Sequence, residues 1–155
     1  MQTLIDAFLE EDSLLRQRLT TCPRKFRDVR GHDNTLSFKE TLGHIAFWDD
    51  YTVQFFVCRL DTTACDLIPP ADFESRNKAA LAATRCLPFG EVLARYLEAT
   101  GALIEFLRQS WSRLDERERQ NFWIPLKHRR HHRLELFKAL DDLMANDVDA
   151  LAAEA

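Results

Sequence analysis

The stretch that decides the fold runs from Leu36 to Asp61 and reads LSFKETLGHIAFWDDYTVQFFVCRLD. Ser37, followed three residues later by Glu40, is typical of a capping box, in which the hydroxyl and the carboxylate each accept an exposed backbone N–H at a helix start. Apolar side chains then recur at helical rather than alternating spacing. They are Phe38, Leu42, Ile45, Val53, Phe56 and Leu60. The stretch therefore predicts one long helix that ends near Asp61.

Three further segments carry apolar side chains at the same helical spacing. They span residues 2–20, 88–114 and 125–144. Pro88 and Pro125 each fit the first turn of a helix, where a missing N–H has no intrahelical partner to lose. Because no segment alternates like a strand, we predict an all-α fold, and the four long amphipathic helices favour a four-helix bundle.

The connections between these segments are less regular. Residues 62–87 contain two consecutive prolines and predict a long, partly helical crossover between the second and third helices, with a short helical turn at 79–83. A polar connector precedes the fourth helix. We expect one domain over residues 1–146, followed by an acidic, Ala-rich tail over residues 147–155.

Composition indicates a globular protein. The 155 residues are 46% hydrophobic and 30% charged and include 4 Gly and 5 Pro, which excludes disordered and collagen-like classes. No apolar run reaches the ~18–20 residues that span a bilayer, and Asp6 and Glu10 lie where a signal peptide would be apolar. We therefore expect a cytoplasmic protein with no membrane partner. The four cysteines contain no C-x-x-C pair, so we expect buried thiols rather than a disulfide framework.

Two of the five histidines, His128 and His132, lie four residues apart in the predicted fourth helix. Because that spacing turns the helix by about 40°, both imidazoles lie on one face and can bind one ion from successive turns. The same face continues with Leu136 and Leu140 and should point into the bundle.

His44 lies in the second helix, on a face that it shares with Trp48 and Tyr51. If the second and fourth helices meet there, three neutral imidazoles can hold a divalent ion at about 2.0–2.1 Å and leave a position open for water or substrate. Trp48 and Tyr51 would then line the substrate pocket. The alternative is that these histidines are hydrogen-bonded core residues and that the aromatic stripe is core. His131 and His32 are poorer ligand candidates.

The residues around these histidines resemble those of the DinB-like superfamily of metal-binding four-helix bundles. LSFKETLGHIAFW, residues 36–48, resembles that family's second helix, in which a polar residue opens the helix and a metal-binding His is followed closely by Trp. HRRHHR, residues 128–133, is similar to the family's H-x-x-x-H-R motif on the last helix. Helix order, crossover and size also fit, so the resemblance covers nearly the whole chain.

The resemblance implies a four-helix bundle, often a homodimer, that holds zinc, nickel or a similar divalent ion through His44, His128 and His132. Members with an assigned activity include transferases and isomerases that use a low-molecular-weight thiol, namely mycothiol, bacillithiol or glutathione. Related small bundle proteins protect producing cells against reactive natural products.

The leading functional hypothesis is an enzyme in which the ion lowers the pKa of a bound water or thiol for attack on a small electrophilic substrate. The reaction would be of the thiol transferase, isomerase or hydrolase type. Glu135, three residues after His132, is the candidate catalytic residue because it can orient a ligand imidazole or shuttle a proton. Its alternative is a solvent-facing carboxylate. The alternative function is sequestration of a small molecule without turnover.

Four cations, Lys127, Arg129, Arg130 and Arg133, fall within seven residues with no acid between them. Phosphate or nucleic acid could bind such a cluster. The net charge of −4 and the lack of interleaved aromatic residues in the cluster disfavour nucleic acid. The alternative is that these cations pair with acidic neighbours or lie on a solvated helix face.

Overall fold

The computed structural model describes residues 1–31, 35–61 and 70–153. Within these ranges the fold is all-α, as predicted, and contains no strand. The helices are α1 (Gln2–Thr21), α2 (Phe38–Asp61), α3 (Phe73–Cys86), α4 (Phe89–Ser110), α5 (Glu116–Asn121) and α6 (Trp123–Ala153). Of these, α1, α2, α4 and α6 correspond to the four predicted helices. No helix in the described ranges has the length and apolar character needed to cross a membrane.

The predicted capping box begins α2. The Ser37 backbone N–H donates to Glu40 Oε2 at 3.1 Å, and the Glu40 backbone N–H donates to Ser37 Oγ at 3.2 Å. Glu40 also pairs with Arg30 from the preceding loop and with Arg85 from α3. Burial raises the pKa of Glu40, but the hydrogen bonds from both arginines outweigh it and lower that pKa to about 2. Glu40 therefore ties three segments together at the start of α2.

The helices α2 and α4 run in the same direction. Phe38 at the start of α2 contacts Phe89 at the start of α4, with ring centroids 6.4 Å apart. Phe56 near the end of α2 contacts Phe106 near the end of α4 at 6.3 Å. The chain must therefore return along α2, about 36 Å for its 24 residues, before α4 begins. The helix α3 forms part of that return.

The helix α6 runs antiparallel to α2. Phe122, immediately before α6, stacks on Phe56 near the end of α2, with ring centroids 4.2 Å apart. His132, one third of the way along α6, lies against His44 near the start of α2 at 4.5 Å. The antiparallel arrangement therefore brings the two halves of the predicted metal site to the same level.

Two predicted connections contain more helix than expected. The crossover includes a complete 14-residue helix, α3, rather than a short turn at 79–83. The polar connector contains α5, whose N-cap Asp115 forms a capping box with Glu118. Reciprocal capping stabilises α5 without any buried side chain, which explains why apolar periodicity alone did not predict it. The part of the crossover at 62–69 lies outside the described residues.

The predicted tail also differs from expectation. The helix α6 continues past residue 146 to Ala153. Asp147 accepts a salt bridge from Lys25, in the loop after α1, with Nζ and Oδ1 2.5 Å apart. A second ion pair joins Arg18 of α1 to Asp141 of α6. These contacts attach the last turns of α6 to α1 and its following loop.

The described cysteines do not all match the expectation of buried thiols. Cys22 is a buried free thiol, whereas Cys86 is free but exposed. Cys58 is disulfide-bonded, so the expectation of thiols is wrong for that residue. Cys65 lies outside the described residues.

The helix α3 packs along the first half of α2, and Gly43 permits the close approach. A Cβ at position 43 would lie 2.4 Å from Thr84 Oγ1 and 2.5 Å from Thr84 Cγ2. Toward the start of α3, Phe73 contacts Trp48 of α2, with ring centroids 5.3 Å apart. The two helices are therefore antiparallel, and α3 forms a wall beside α2.

We predict that Gly43→Ala lowers the free energy of unfolding by about 1–3 kcal/mol, because the added methyl group overlaps Thr84. Gly101→Ala, in the exposed middle of α4, is the matched control. A Cβ there meets nothing within 4 Å, so helix propensity should raise the stability by roughly 0.5–1 kcal/mol. Urea denaturation of both variants measures the difference. Equal stabilisation by both would show that α3 does not pack closely at Gly43.

Candidate metal centre

Three imidazoles converge between α2 and α6. The Nε2 atom of His128 lies 2.9 Å from His44 Nε2 and 3.0 Å from His132 Nε2. The candidate ligand atoms of all three residues lie within 4.8 Å of one another. The structure therefore brings together all three predicted ligands, one from α2 and two from α6.

The surroundings keep these imidazoles neutral. Burial, reinforced by the neighbouring His132 and His128, lowers the pKa of His44 to about 3. Burial also lowers the pKa of His128 to about 4, and His132, His131 and Arg129 add to that effect. The pKa of His132 is lowered as well, again mainly by burial. A divalent cation requires the neutral form of imidazole, so the protonation state suits a metal ligand.

The spacing of the three nitrogens suits a single ion. Ligand nitrogens at 2.0–2.1 Å from a tetrahedral zinc ion lie about 3.3 Å apart. The observed separations of 2.9 and 3.0 Å are close to that value, and small rotations of the rings would match it. His44, His128 and His132 could therefore hold a metal ion.

Glu135 contacts the outer side of this cluster. Its Oε2 atom lies 3.2 Å from His132 Nδ1, the ring nitrogen that does not face His128. The same oxygen lies 3.4 Å from Nε2 of His131, whose side chain is 64% exposed. A carboxylate that accepts from Nδ1–H fixes the tautomer in which Nε2 is the free ligand. The contact favours the orienting role that the sequence suggests for Glu135. Glu135 does not line the cleft that lies beside the three histidines.

A second outer contact comes from Asn77 on α3. Its side chain interacts with His44 and raises the pKa of that imidazole, opposing the effect of burial. His44 Nδ1 and Asn77 Oδ1 are both buried, and neither atom has a partner at full hydrogen-bond geometry among the described residues. A small rotation of the amide would allow Asn77 Oδ1 to accept from His44 Nδ1–H. Asn77 is thus placed to orient His44 as Glu135 orients His132.

The histidines lie at one side of a cleft of about 660 Å³ between α2, α3 and the start of α6. Trp48 and Tyr51, the predicted pocket residues, both line it. Together with Phe73 they form an aromatic wall, in which the rings meet edge to face with centroids 5.3–5.7 Å apart. The remaining lining residues are Leu36, Thr52, Glu74, Asn77, Leu81, Ile124 and Pro125. A cleft of this size accepts a small organic molecule.

Sequence reasoning missed the contribution of α3 to this cleft. Phe73, Asn77 and Leu81 follow one another at four-residue intervals and therefore share one face of α3. That spacing was readable from the sequence once a helix was assigned there. The sequence predicts a partly helical crossover with a short helical turn at 79–83, and a turn of that length defines no face that includes Phe73.

The basic cluster next to the ligands is largely paired. Arg129 is fully buried and donates to Asp49 of α2. Arg130 and Arg133 both pair with the buried Glu11 of α1, with Nε to carboxylate distances of 2.6 and 2.5 Å. The remaining member of the cluster, a lysine, is exposed. The pairing with acidic neighbours is the alternative that the sequence left open for these cations.

His32, the other histidine considered as a weaker ligand candidate, lies outside the described residues. No protein-family model, curated protein or solved structure matches the chain. The interpretation of the site therefore depends on its own geometry and on the sequence motifs.

We predict that Asn77→Leu weakens zinc binding by roughly tenfold or more, because loss of the amide removes the group that orients His44. Lys78→Ala is the matched control, because Lys78 is the next residue of α3 but its side chain is 74% exposed. This variant should keep the wild-type affinity for zinc. Competition with a chromophoric chelator measures the dissociation constant of both variants. Wild-type affinity in Asn77→Leu would rule out an orienting role for Asn77.

Proposed function

We propose that the chain is a DinB-like four-helix bundle that holds one divalent ion through His44, His128 and His132. The parallel pairing of α2 and α4 supports a bundle with a long crossover between its second and third long helices. The observation that carries the proposal is the convergence of three neutral imidazoles, one buried and two partly buried, beside a cleft. Zinc and nickel both suit imidazole ligands, and both are candidates.

The proposed activity is that of a metal-dependent enzyme acting on a small electrophilic substrate, of the thiol transferase, isomerase or hydrolase type. The bound ion would supply Lewis acidity that lowers the pKa of a water or thiol ligand. Trp48 and Tyr51 would hold the substrate, and their apolar rings would exclude bulk water from it. Glu135 would keep His132 in its ligand tautomer. A homodimer in solution, which the resemblance implies, is part of the same proposal.

Metal analysis of the purified protein tests the site. We expect about one divalent ion per chain in the wild type and loss of that ion in His44→Ala and His132→Ala, since two imidazoles hold a divalent ion far more weakly than three. Elemental analysis by plasma mass spectrometry gives the stoichiometry.

His131→Ala is the matched control for this experiment. His131 neighbours His132 in sequence, but its ring is mostly exposed and is not one of the three converging imidazoles. This variant should keep the ion. Unchanged stoichiometry in His44→Ala and His132→Ala, with helix content retained by circular dichroism, would reject the metal centre.

Capture of a small molecule without turnover is the second candidate function. It is favoured by the chemistry of the cleft, in which Glu74 is the only carboxylate among the described lining residues. Glu74 is exposed and pairs with Lys78 at 2.7 Å. Apart from the three histidines and Tyr51, the described lining residues offer no other general acid or base, and binding alone requires none.

Product analysis separates catalysis from capture. We expect metal-loaded protein to convert many molar equivalents of an electrophile, for example an activated aryl ester or an epoxide. A thiol transferase should do so only with a thiol present, and a hydrolase should also do so without one. Chelation of the ion should abolish the conversion, because the nucleophile then keeps its ordinary pKa. A yield that stops at one equivalent per chain would support capture and would contradict an enzyme.

A further inference from the structure

The last turn of α3 is firmly attached to the start of α2. Thr84, the only residue that α3 buries, lies against Gly43 of α2. Arg85 pairs with the buried Glu40, and Lys39 Nζ donates to the carbonyl oxygen of Arg85 at 3.3 Å. Packing, an ion pair and a hydrogen bond therefore hold this end of α3.

The connection to α4 holds the same end. The helix α3 ends at Cys86 and α4 begins at Phe89, so only two residues join them. Leu87 packs against the apolar core, and the ring of Pro88 restricts the backbone torsion φ at the second position. Because the connection is so short, the last turn of α3 must stay beside the start of α4.

The first half of α3, residues 73–81, has no comparable attachment to the core. None of its residues is buried. Phe73 and Leu81 are half-buried, but they pack against neither of the two apolar core clusters. Both side chains line the cleft beside the histidines instead. Few buried apolar contacts therefore oppose a local opening of this segment.

The contacts that do hold this half lie in the wall of the cleft. The ring of Phe73 meets those of Trp48 and Tyr51 on α2, with centroids 5.3 and 5.7 Å apart. The side chain of Asn77 interacts with His44, also on α2. All five residues line the cleft. An ion or a molecule in the cleft would therefore touch the same side chains that hold this half of α3 against α2.

Free space lies on the other flank of α3. A groove of about 460 Å³ runs between α3 and α4, and no histidine is among its described lining residues. Its walls carry short side chains, namely Ala80 and Ala83 on α3 and Ala99 and Ala102 on α4. The first half of α3 can therefore move toward α4 without displacing a large side chain of the core.

We propose that residues 73–81 form a lid on the cleft, which opens by detaching from α2 and moving toward α4 while the last turn of α3 stays in place. An occupant that contacts the closed lid shifts the equilibrium toward closure. Asn77 links closure to the metal centre, because it lies in the lid and interacts with His44. The inference rests on the proposed function in one respect, namely that the cleft is where an ion and a substrate bind.

Hydrogen–deuterium exchange, followed residue by residue by NMR on chelator-treated protein, tests the lid. Two turns of helix are not stable in water once they are detached, so each opening exposes the lid amides to solvent. We expect amides 77–80 to exchange at least about tenfold faster than amides 85 and 86, which belong to the attached turn. Addition of zinc should slow the exchange of amides 77–80 by about fivefold or more, because it favours closure.

A variant that fills the groove should hold the lid closed. Ala102 is exposed on the α4 wall of the groove. It lies near the level of the lid, because Thr100 donates to Asp49 and the adjacent Trp48 contacts Phe73. In Ala102→Trp the large ring should pack against the closed lid and block its path. Without zinc, the exchange of amides 77–80 should then slow by about fivefold or more.

Ala94→Trp is the matched control. Ala94 is also exposed on α4, but it does not line the groove. The same ring at this position should leave the exchange of the lid amides unchanged.

The outcomes separate the lid from the metal centre. Equal exchange of the two groups of amides in the wild type, or unchanged or faster exchange in Ala102→Trp, would overturn the inference. Bound zinc that leaves the exchange of the lid amides unchanged would overturn it too, while the metal centre would stand. If no ion binds, yet the lid amides exchange faster and Ala102→Trp slows them, the metal centre fails and the lid remains.

Discussion

The buried ion pair between Arg129 of α6 and Asp49 of α2 is the interaction on which the rest of the structure depends. Arg129 is fully buried and also donates to Tyr96 Oη and Thr100 Oγ1 of α4, at 3.1 and 3.0 Å. Tyr96 in turn donates to Asp12 of α1 at 2.7 Å. One polar network therefore joins all four long helices. Removing one partner of such a pair leaves a buried charge and costs about 3–5 kcal/mol.

This network also sets the position of the histidines. It divides the apolar core, with one cluster around Leu42 and Leu136 on one side and another around Phe56 and Phe122 on the other. Arg129 directly follows a histidine of the triad, so its hydrogen bonds fix the rotation of α6 at that point. A slip of one residue would rotate the imidazoles by about 100°. The buried polar contacts have defined directions, whereas apolar packing alone tolerates repacking, and the three imidazoles therefore meet in one register.

The sequence predicts correctly those features whose residues lie within a few positions of one another along the chain. The capping box at Ser37 and Glu40 lies within four residues, and the pair His128 and His132 lies within one helical turn, so both were readable and both are present. The helix α3 buries only Thr84 among its residues, and it carries few large apolar side chains that would mark a face packed into the core. Its position depends on tertiary contacts with α2, which no local pattern reveals.

The ion pairs that α6 makes with α1 and α2 explain why a basic motif lies beside a cleft whose described lining contains no lysine or arginine. From the sequence, the arginines of α6 could have faced an anionic ligand. The buried carboxylates of Glu11 and Asp49 instead hold them on the sides of α6 that pack against α1 and α2. Because each buried carboxylate must be paired to remain ionised, the attachment of α6 to its neighbours removes positive charge from the cleft. The chemistry of the site thus follows from how the fold satisfies its internal charges, and the absence of lysine and arginine from the described lining of the cleft is a consequence of that packing.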